Sequence, residues 1–335
     1  MDLPESQAAI HPDTQAGLLL TGVFGKEVDI DAKPLNLREY NALAKWLVGK
    51  QKRPANLLTA PNDLPEEPVP DLPEWTRVKA LLSRGMQMAA AVERWQRLGL
   101  WVVGRGEERY PQRLLRHLRS SAPPLLFGAG DMARLTLGGL AIVGSRDIDE
   151  EGLAFTSRVA ERCAAADMQV ISGGARGVDR AALSGALEAG GGVVAVLSDR
   201  LDKVATSREA KEHIRGGVLT LVTPYEPEAN FTVGRAMGRN KIIYTLADYA
   251  LVVRFTKGEG GSWAGAVEQL GRNEANGPGV PLFVRTALNP EDGLRELLVK
   301  GALPFPEEEF WAEPAGAILS RVAARTEVPQ KELWD

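Results

Sequence analysis

The sequence predicts an α/β fold: a mainly parallel sheet covered by helices on both faces, preceded by a small helical domain. Three observations carry this. Apolar runs of strand length recur from Leu140 to Val284 with helical patterns between most of them, the mark of crossover connections and a sheet buried on both sides. Two neighbouring runs, Leu140–Val143 and Met168–Ile171, each end in a glycine-containing turn that carries one arginine, Arg146 or Arg176. Residues 13–60 and 75–98, within a first domain placed at 1–98, carry apolar side chains at helical spacing.

Within that first domain, Thr14–Leu20 and Leu37–Leu47 read as helices, and Asn36 fits an N-cap. Residues 61–74, PNDLPEEPVPDLPE, are rich in proline and acid and read as a linker or extended loop, because proline fixes φ and removes a donor. Helical pattern resumes over Trp75–Leu98. The core is placed at 99–300. It opens with short strands at Leu100–Val103 and Pro124–Phe127, and a helix in YPQRLLRHLRS puts Arg113, Arg116 and Arg119 on or near one face. Such a stripe reads first as a solvated face and second as a phosphate track. Strands follow at Leu140–Val143, Gln169–Ile171, Val193–Leu197, Val218–Val222, Tyr249–Val253 and Pro281–Val284, with helices at 152–166, 178–189, 207–215, 235–246 and 262–272. Residues 301–335 read as a tail with an acidic PEEEF stretch and one helix, Ala315–Ala324.

Composition narrows the class. With 335 residues, 44% hydrophobic and 25% charged, the chain has material for two domains with a sizeable core. No apolar run reaches membrane-span length, and the acidic, polar start MDLPESQAAI does not read as a secretory signal; the expected compartment is the cytoplasm. Cys163 stands alone in an alanine-rich helical stretch and reads as a small core residue. His11, His117 and His213 are scattered and give no metal spacing, so no metal or cofactor is expected. A net charge of −4 argues against a surface coated for bulk DNA binding but leaves room for a focused basic groove.

The two turns carry the chemistry. At the carboxyl ends of neighbouring parallel strands, loops share one crevice where ligands bind. Small residues let the backbone approach an anion, N–H groups at a helix start point at it, and arginine adds bidentate phosphate recognition. The phosphates do not read as those of NAD: the first turn has only Gly144 where a dinucleotide fold wants G-x-G-x-x-G, and the second strand ends in Ser172-Gly173-Gly174 rather than an acidic residue. No G-x-x-x-x-G-K-[ST] occurs. The plain alternative is that the glycines merely make tight strand-to-helix turns.

RYPQRLL, SSAPPLLFGAGDMARL, AIVGSR, SGGARGVDRAAL, GALEAGG, VAVL and GRNKIIYTLADYALVV follow in this order over roughly residues 13–285, with QAGLLLTG in the lead-in. This series resembles the DprA (Smf) family of bacterial DNA-processing proteins. The resemblance implies a SAM-like helical N-terminal domain, an extended Rossmann-like core, single-stranded DNA binding without catalysis, a homodimer, and delivery of DNA to a RecA-type recombinase in natural transformation or a related recombination or defence role. By the same resemblance, Gly144, Ser145 and Arg146 form a first phosphate turn; Ser172, Gly173, Gly174, Arg176 and Gly177 form a second; Arg239 and Asn240 add a third contact; and Asp179 structures the loop. The stretch SDRLDKVATSREAKEH departs from the family's usual Tyr-Pro, which leaves Lys203, Arg208 and Lys211 as unranked DNA contacts there. NFTVGRAMGRN and KGEGGSWAG depart as well, and a terminal winged helix is not expected. The aromatic residues Phe231 and Trp263 read as core or as base-stacking surfaces.

Two other functions stay open. Gly260–Glu268 faintly echoes the motif of LOG-family phosphoribohydrolases, so a small-nucleotide sensor or hydrolase with Glu268 as its carboxylate is the alternative. A protein-interaction scaffold with a decayed site is the third.

Overall fold

A computed structural model describes residues 10–24, 33–59, 65, 67–276, 279–287, 289 and 291–325. Part of the proline- and acid-rich loop and the end of the tail lie outside the described residues. Among the described residues, nine strands form one mixed, mostly parallel sheet in the order β1-β2-β6-β5-β4-β3-β7-β8-β9, so the fold is the α/β, Rossmann-like class. The chain divides into two compact units.

The first unit holds the described residues up to Ala129 with Asp199–Arg208 and Val222–Asn230. Its helices are α1 (Pro12–Thr21), α2 (Leu37–Gly49), α3 (Asn56–Thr59), α4 (Trp75–Leu82) and α5 (Gly85–Arg97), followed by β1 (Trp101–Gly104), α6 (Gln112–Leu118) and β2 (Leu125–Ala129). Helix α1 is buried nearly all round, Asp13 and Thr14 as well as Ala16 and Leu18–Leu20, so it is covered from several sides. α2, α3 and α4 pack on it with Leu43, Leu47, Leu57, Trp75, Val78 and Leu81, and the antiparallel β1–β2 pair also lies against it. Asn36 caps α2 in a reciprocal capping box with Glu39. The arginine stripe is broken: Arg119 turns to φ +50° and leaves α6, so only Arg113 and Arg116 share that helix.

The second unit holds Gly130–Ser198, Glu209–Leu221 and the described residues from Phe231. It is built from β3 (Leu140–Val143), α7 (Glu150–Ala165), β4 (Val170–Ser172), α8 (Val178–Glu188) and β5 (Val193–Val196), then, after α9 (Leu201–Thr206), α10 (Arg208–Arg215) and β6 (Leu219–Thr223), from α11 (Val233–Leu246), β7 (Tyr249–Val252), α12 (Gly260–Asn276), β8 (Leu282–Val284), α13 (Glu291–Val299), β9 (Leu303–Pro304), α14 (Glu307–Ala312) and α15 (Ala315–Arg325). Strand β3 pairs in parallel with β4 on one side and β7 on the other, Leu140 opposite Val170 and Tyr249. The four residues of β3 and of β5 are all buried, as parallel strands covered on both faces require. Cys163 is fully buried in α7, which pushes its thiol up to about 12.

Among the described residues beyond Gly301 the chain holds β9 and two helices where the sequence pattern shows one helix. The acidic stretch there is also an aromatic anchor: Phe305 and Phe310 are buried, with ring centroids 4.9 Å apart, and Phe305 meets Phe155 and Phe283 edge-on.

Candidate nucleic-acid interface

The chain runs from β3 to β4 and β5 on one side of β3 and later returns to β7 on the other side. β3 is therefore a topological switch point, and the loops leaving the carboxyl ends of β3 and β7 part to leave a crevice there. The crevice measures about 390 Å³ and lies wholly within the second unit. Gly144, Ser145 and Arg146 line one wall. Arg239, Asn240 and Tyr244 of α11 lie in it with Asp179, and Thr256, Glu259 and Gly260 form part of another wall.

The backbone of the first turn is committed internally. The Ser145 N–H donates to the Arg254 carbonyl at 2.9 Å, the Asp147 N–H donates to Ser145 Oγ at 3.0 Å, and the Gly144 N–H donates to the Asp179 carboxylate. Helix α7 starts only at Glu150; Asp149 caps it by accepting from the Gly152 N–H at 2.8 Å, and Glu150 and Glu151 fill its first turn. That end of α7 is a carboxylate site of the protein's own. The N–H groups of Gly144 and Ser145 and the start of α7, expected from sequence to face phosphate, thus have partners within the protein. The exposed Arg146 guanidinium remains as the cationic group of the turn, 5.5 Å from the centre of the Phe231 ring.

The second turn is a brace. The Ser172 hydroxyl is fully buried and donates to the Ile142 carbonyl at 2.6 Å, so it ties β4 to β3 and is not turned to solvent. Gly173 lies against the Arg239 guanidinium, and a Cβ there would fall on it. Gly177 has φ +79°, and a Cβ would meet the carbonyls of Ser145 and Arg146. From the next residue, the Val178 N–H donates back to the Ser145 carbonyl at 3.2 Å. Asp179 completes the brace: its carboxylate accepts from the backbone at Ala175 and Gly144, and it faces Arg239 at 3.6 Å. Burial pushes the Asp179 carboxyl above its ordinary range, opposed by the Arg239 charge. In this unit the two arginines named by sequence therefore stand apart: Arg146 lines the crevice, and Arg176 is exposed outside its lining.

Arg239 is only 3% exposed, so it is a buried counter-charge to Asp179 rather than an outward-facing contact. Asn240 Nδ2 donates to the Gly261 carbonyl at 3.2 Å and pins the start of α12. Gly174 has φ +69° and does not line the crevice. Lys203 on α9 and Arg208 at the start of α10 are exposed in the first unit, and Lys211 on α10 is exposed in the second; none is in the crevice lining. Glu268 lies on α12 in an ion pair with Arg272, also outside the lining, so the hydrolase-like alternative loses the carboxylate it requires in the crevice. Trp263 packs on Phe255, ring centroids 5.4 Å apart. The sequence reading missed two groups in the crevice, Glu259 and the exposed pair Val233 and Met237. The helical spacing of the last two carried the signal; charge carried none.

A doubly covered parallel sheet with a crevice at its switch point defines a Rossmann-like protein. The model of the DNA recombination-mediator protein A family matches residues 101–275, and the chain belongs to that family. Among curated relatives, Protein Smf of Escherichia coli is 32% identical over 151 residues, covering 44% of this chain and 39% of Smf. DNA processing protein DprA of Streptococcus pneumoniae is 30% identical over 133 residues, covering 39% of this chain and 46% of that protein. The chain thus matches less than half the length of these relatives. In fold, it is similar to the crystal structure of DprA from Streptococcus pneumoniae, with TM-score 0.60 and 19% identity over 91% of this chain and 99% of the other. It is also similar to DNA processing protein A from Helicobacter pylori, a structure described for its single-stranded DNA binding mode, with TM-score 0.52 and 24% identity over 67% of this chain and 97% of the other. Among the described residues, no helix is long and apolar enough to cross a membrane.

Proposed function

We propose that this chain binds single-stranded DNA through the switch-point crevice and hands it to a RecA-type recombinase, acting in the cytoplasm as a homodimer and carrying out no reaction on the DNA. The observation that carries the reading is Arg146: an exposed guanidinium at the mouth of the crevice, on a turn whose backbone is fixed by three internal hydrogen bonds. A fixed turn presents its arginine without a large ordering cost, and guanidinium is suited to phosphate. Family membership and the single-stranded DNA binding of the Helicobacter pylori relative support the ligand. Arg176 and Lys211, exposed in the same unit, are the further cations proposed for phosphates beyond the crevice.

Charge in the crevice sets a limit on the mode of binding. Its lining holds Arg146 and Arg239 against Asp147, Asp179 and Glu259, and Arg239 is already opposed by Asp179. The crevice is thus no uniformly cationic trough, and it accommodates one phosphate at Arg146 rather than a row. Fluorescence anisotropy with a labelled oligo-dT, a duplex and an ATP competitor across a salt series tests the proposal. Single-strand binding that weakens with salt is expected, with a log–log slope smaller by about one in Arg146→Ala. Displacement of the oligonucleotide by low ATP concentrations, or an unchanged slope in the folded variant, would contradict it.

A further inference from the structure

Residues 36–53 and 105–119, both in the first unit, are rich in lysine and arginine, and their acids are Glu39, Glu107 and Glu108. Two of those acids are engaged elsewhere. Glu39 is ion-paired with Arg77 at 2.7 Å, and Glu107 is buried, accepting from the Gly104 N–H at 3.1 Å. On α2, Arg38, Asn41 and Lys45 follow at spacings of three and four, hence on one face, and both cations are exposed. Asn41 ties this row to the end of α6. Its Nδ2 donates to the Ser120 carbonyl at 2.7 Å, and its Oδ1 accepts from Arg105 at 2.7 Å. Next to Ser120, Arg119 is exposed and held at φ +50°, a strained conformation for a residue other than glycine. The break in the α6 stripe therefore sets the backbone of Arg119 beside α2. Arg116 is exposed one turn back on α6, and Arg113 precedes it by another turn. Burial holds the half-buried His117 imidazole below its usual range, and the charges of Arg116 and Arg113 push it the same way. Among the described residues, no carboxylate pairs with Arg38, Lys45, Arg116 or Arg119.

We infer that this face of the first unit, carrying Arg38, Lys45, Arg105, Arg113, Arg116 and Arg119, binds the phosphate backbones of double-stranded DNA without reading its sequence. Crowded like charges repel one another and gain from a polyanion that releases its counterions. The rings in the same segments are closed to bases: Tyr40 and Tyr110 are buried, and Trp46 packs on Trp75 with ring centroids 5.2 Å apart. A cationic surface without a stacking ring meets phosphates rather than bases. Two rows of cations on different helices, joined at Asn41, suit the two backbones of a duplex, whose bases are already stacked on one another. The inference stands apart from the crevice, since its residues and its ligand are different.

The test is fluorescence anisotropy with a labelled blunt duplex and a labelled oligo-dT across a salt series, for wild type, the double variant Arg116→Ala with Arg119→Ala, and Arg146→Ala. The double variant should bind the duplex about tenfold or more weakly at low salt, with a log–log salt slope smaller by about two. Its oligo-dT affinity should stay within about twofold of wild type, because no cation of the crevice has been removed. Arg146→Ala should do the reverse, weakening oligo-dT and sparing the duplex. Arg119→Gly guards against misfolding: glycine takes that φ without strain, so its thermal midpoint should be no lower than wild type while duplex binding falls. Failure of wild type to bind the duplex at low salt, an unchanged duplex slope in the double variant, or an equal or greater loss for oligo-dT would overturn the inference. None of these results decides the crevice reading, which Arg146→Ala tests by itself.

Discussion

The turns after β3 and β4 are alike in sequence, each a small-residue bend with an arginine, yet they are built for different work. The β3 turn opens outward: its N–H groups are satisfied internally, and its guanidinium is exposed at the crevice over the Phe231 ring. The β4 turn folds inward: Gly173 makes room for Arg239, Gly177 clears the carbonyls of the first turn, and Asp179 receives N–H groups from both turns. Two similar turns are thus divided into an exposed arginine and a support, with the Asp179 carboxylate taking N–H groups from both. Matching motif positions do not imply matching roles when one of the turns must hold the other.

The support should fail first under mutation. Arg239→Ala leaves the buried Asp179 without its counter-charge and is expected to cost about 3–5 kcal/mol, read as a lowered denaturant midpoint. Arg146→Ala should change that midpoint by less than about 0.5 kcal/mol. Equal losses would erase the distinction between the turns.

Gly177→Ala comes next. A side chain at φ +79° is strained and would press on the Ser145 and Arg146 carbonyls, for about 2 kcal/mol. The same variant should also weaken oligonucleotide binding, since it displaces the backbone that carries Arg146.

The carboxylates of the two turns sharpen the comparison through opposite titrations. Asp149 is held below the ordinary carboxyl range, first by the Gly152 N–H and then by Arg254. Its contribution is present above the unfolded pKa and lost as pH falls through the depressed one. Asp179 is raised, chiefly by burial. Its contribution is fully present below the unfolded pKa and lost as pH rises through the folded one. Carboxyl carbon NMR titration should find Asp149 below and Asp179 above the usual carboxyl range; the reverse order would contradict the assigned environments. Asp149→Ala should lower the denaturant midpoint slightly through the lost cap.

Much of the fold was legible because its signals are local. The apolar runs at Leu140–Val143, Val193–Val196 and Tyr249–Val252 report strands buried on both faces, and Asn36 with Glu39 spells a capping box. Elements decided by distant packing were not legible. Strand β9 and helix α14 are anchored where Phe305 buries against Phe155 and Phe283 and Phe310 packs on Phe305, and no short-range pattern in an acidic stretch announces that. The site divided in the same way. Gly144, Ser145, Arg146, Asp179, Arg239 and Asn240 do converge on one crevice. Burial of Arg239 and commitment of the turn N–H groups are tertiary facts, set by which residues face Gly173 and Asp179. Val233 and Met237 carry no charge and no motif; their spacing places them one turn apart on α11, and only the structure shows both exposed in the crevice.

The most direct test of the account is the affinity of Arg146→Ala and Arg176→Ala for the same oligo-dT at one low salt concentration, with both variants shown to be folded. Binding should fall by about tenfold or more for Arg146→Ala and by several-fold less for Arg176→Ala, in keeping with a charge-assisted contact in the crevice and a more distant, solvent-screened charge. Equal losses, or a greater loss for Arg176→Ala, would contradict the assignment of the first turn as the contact and the second as its support.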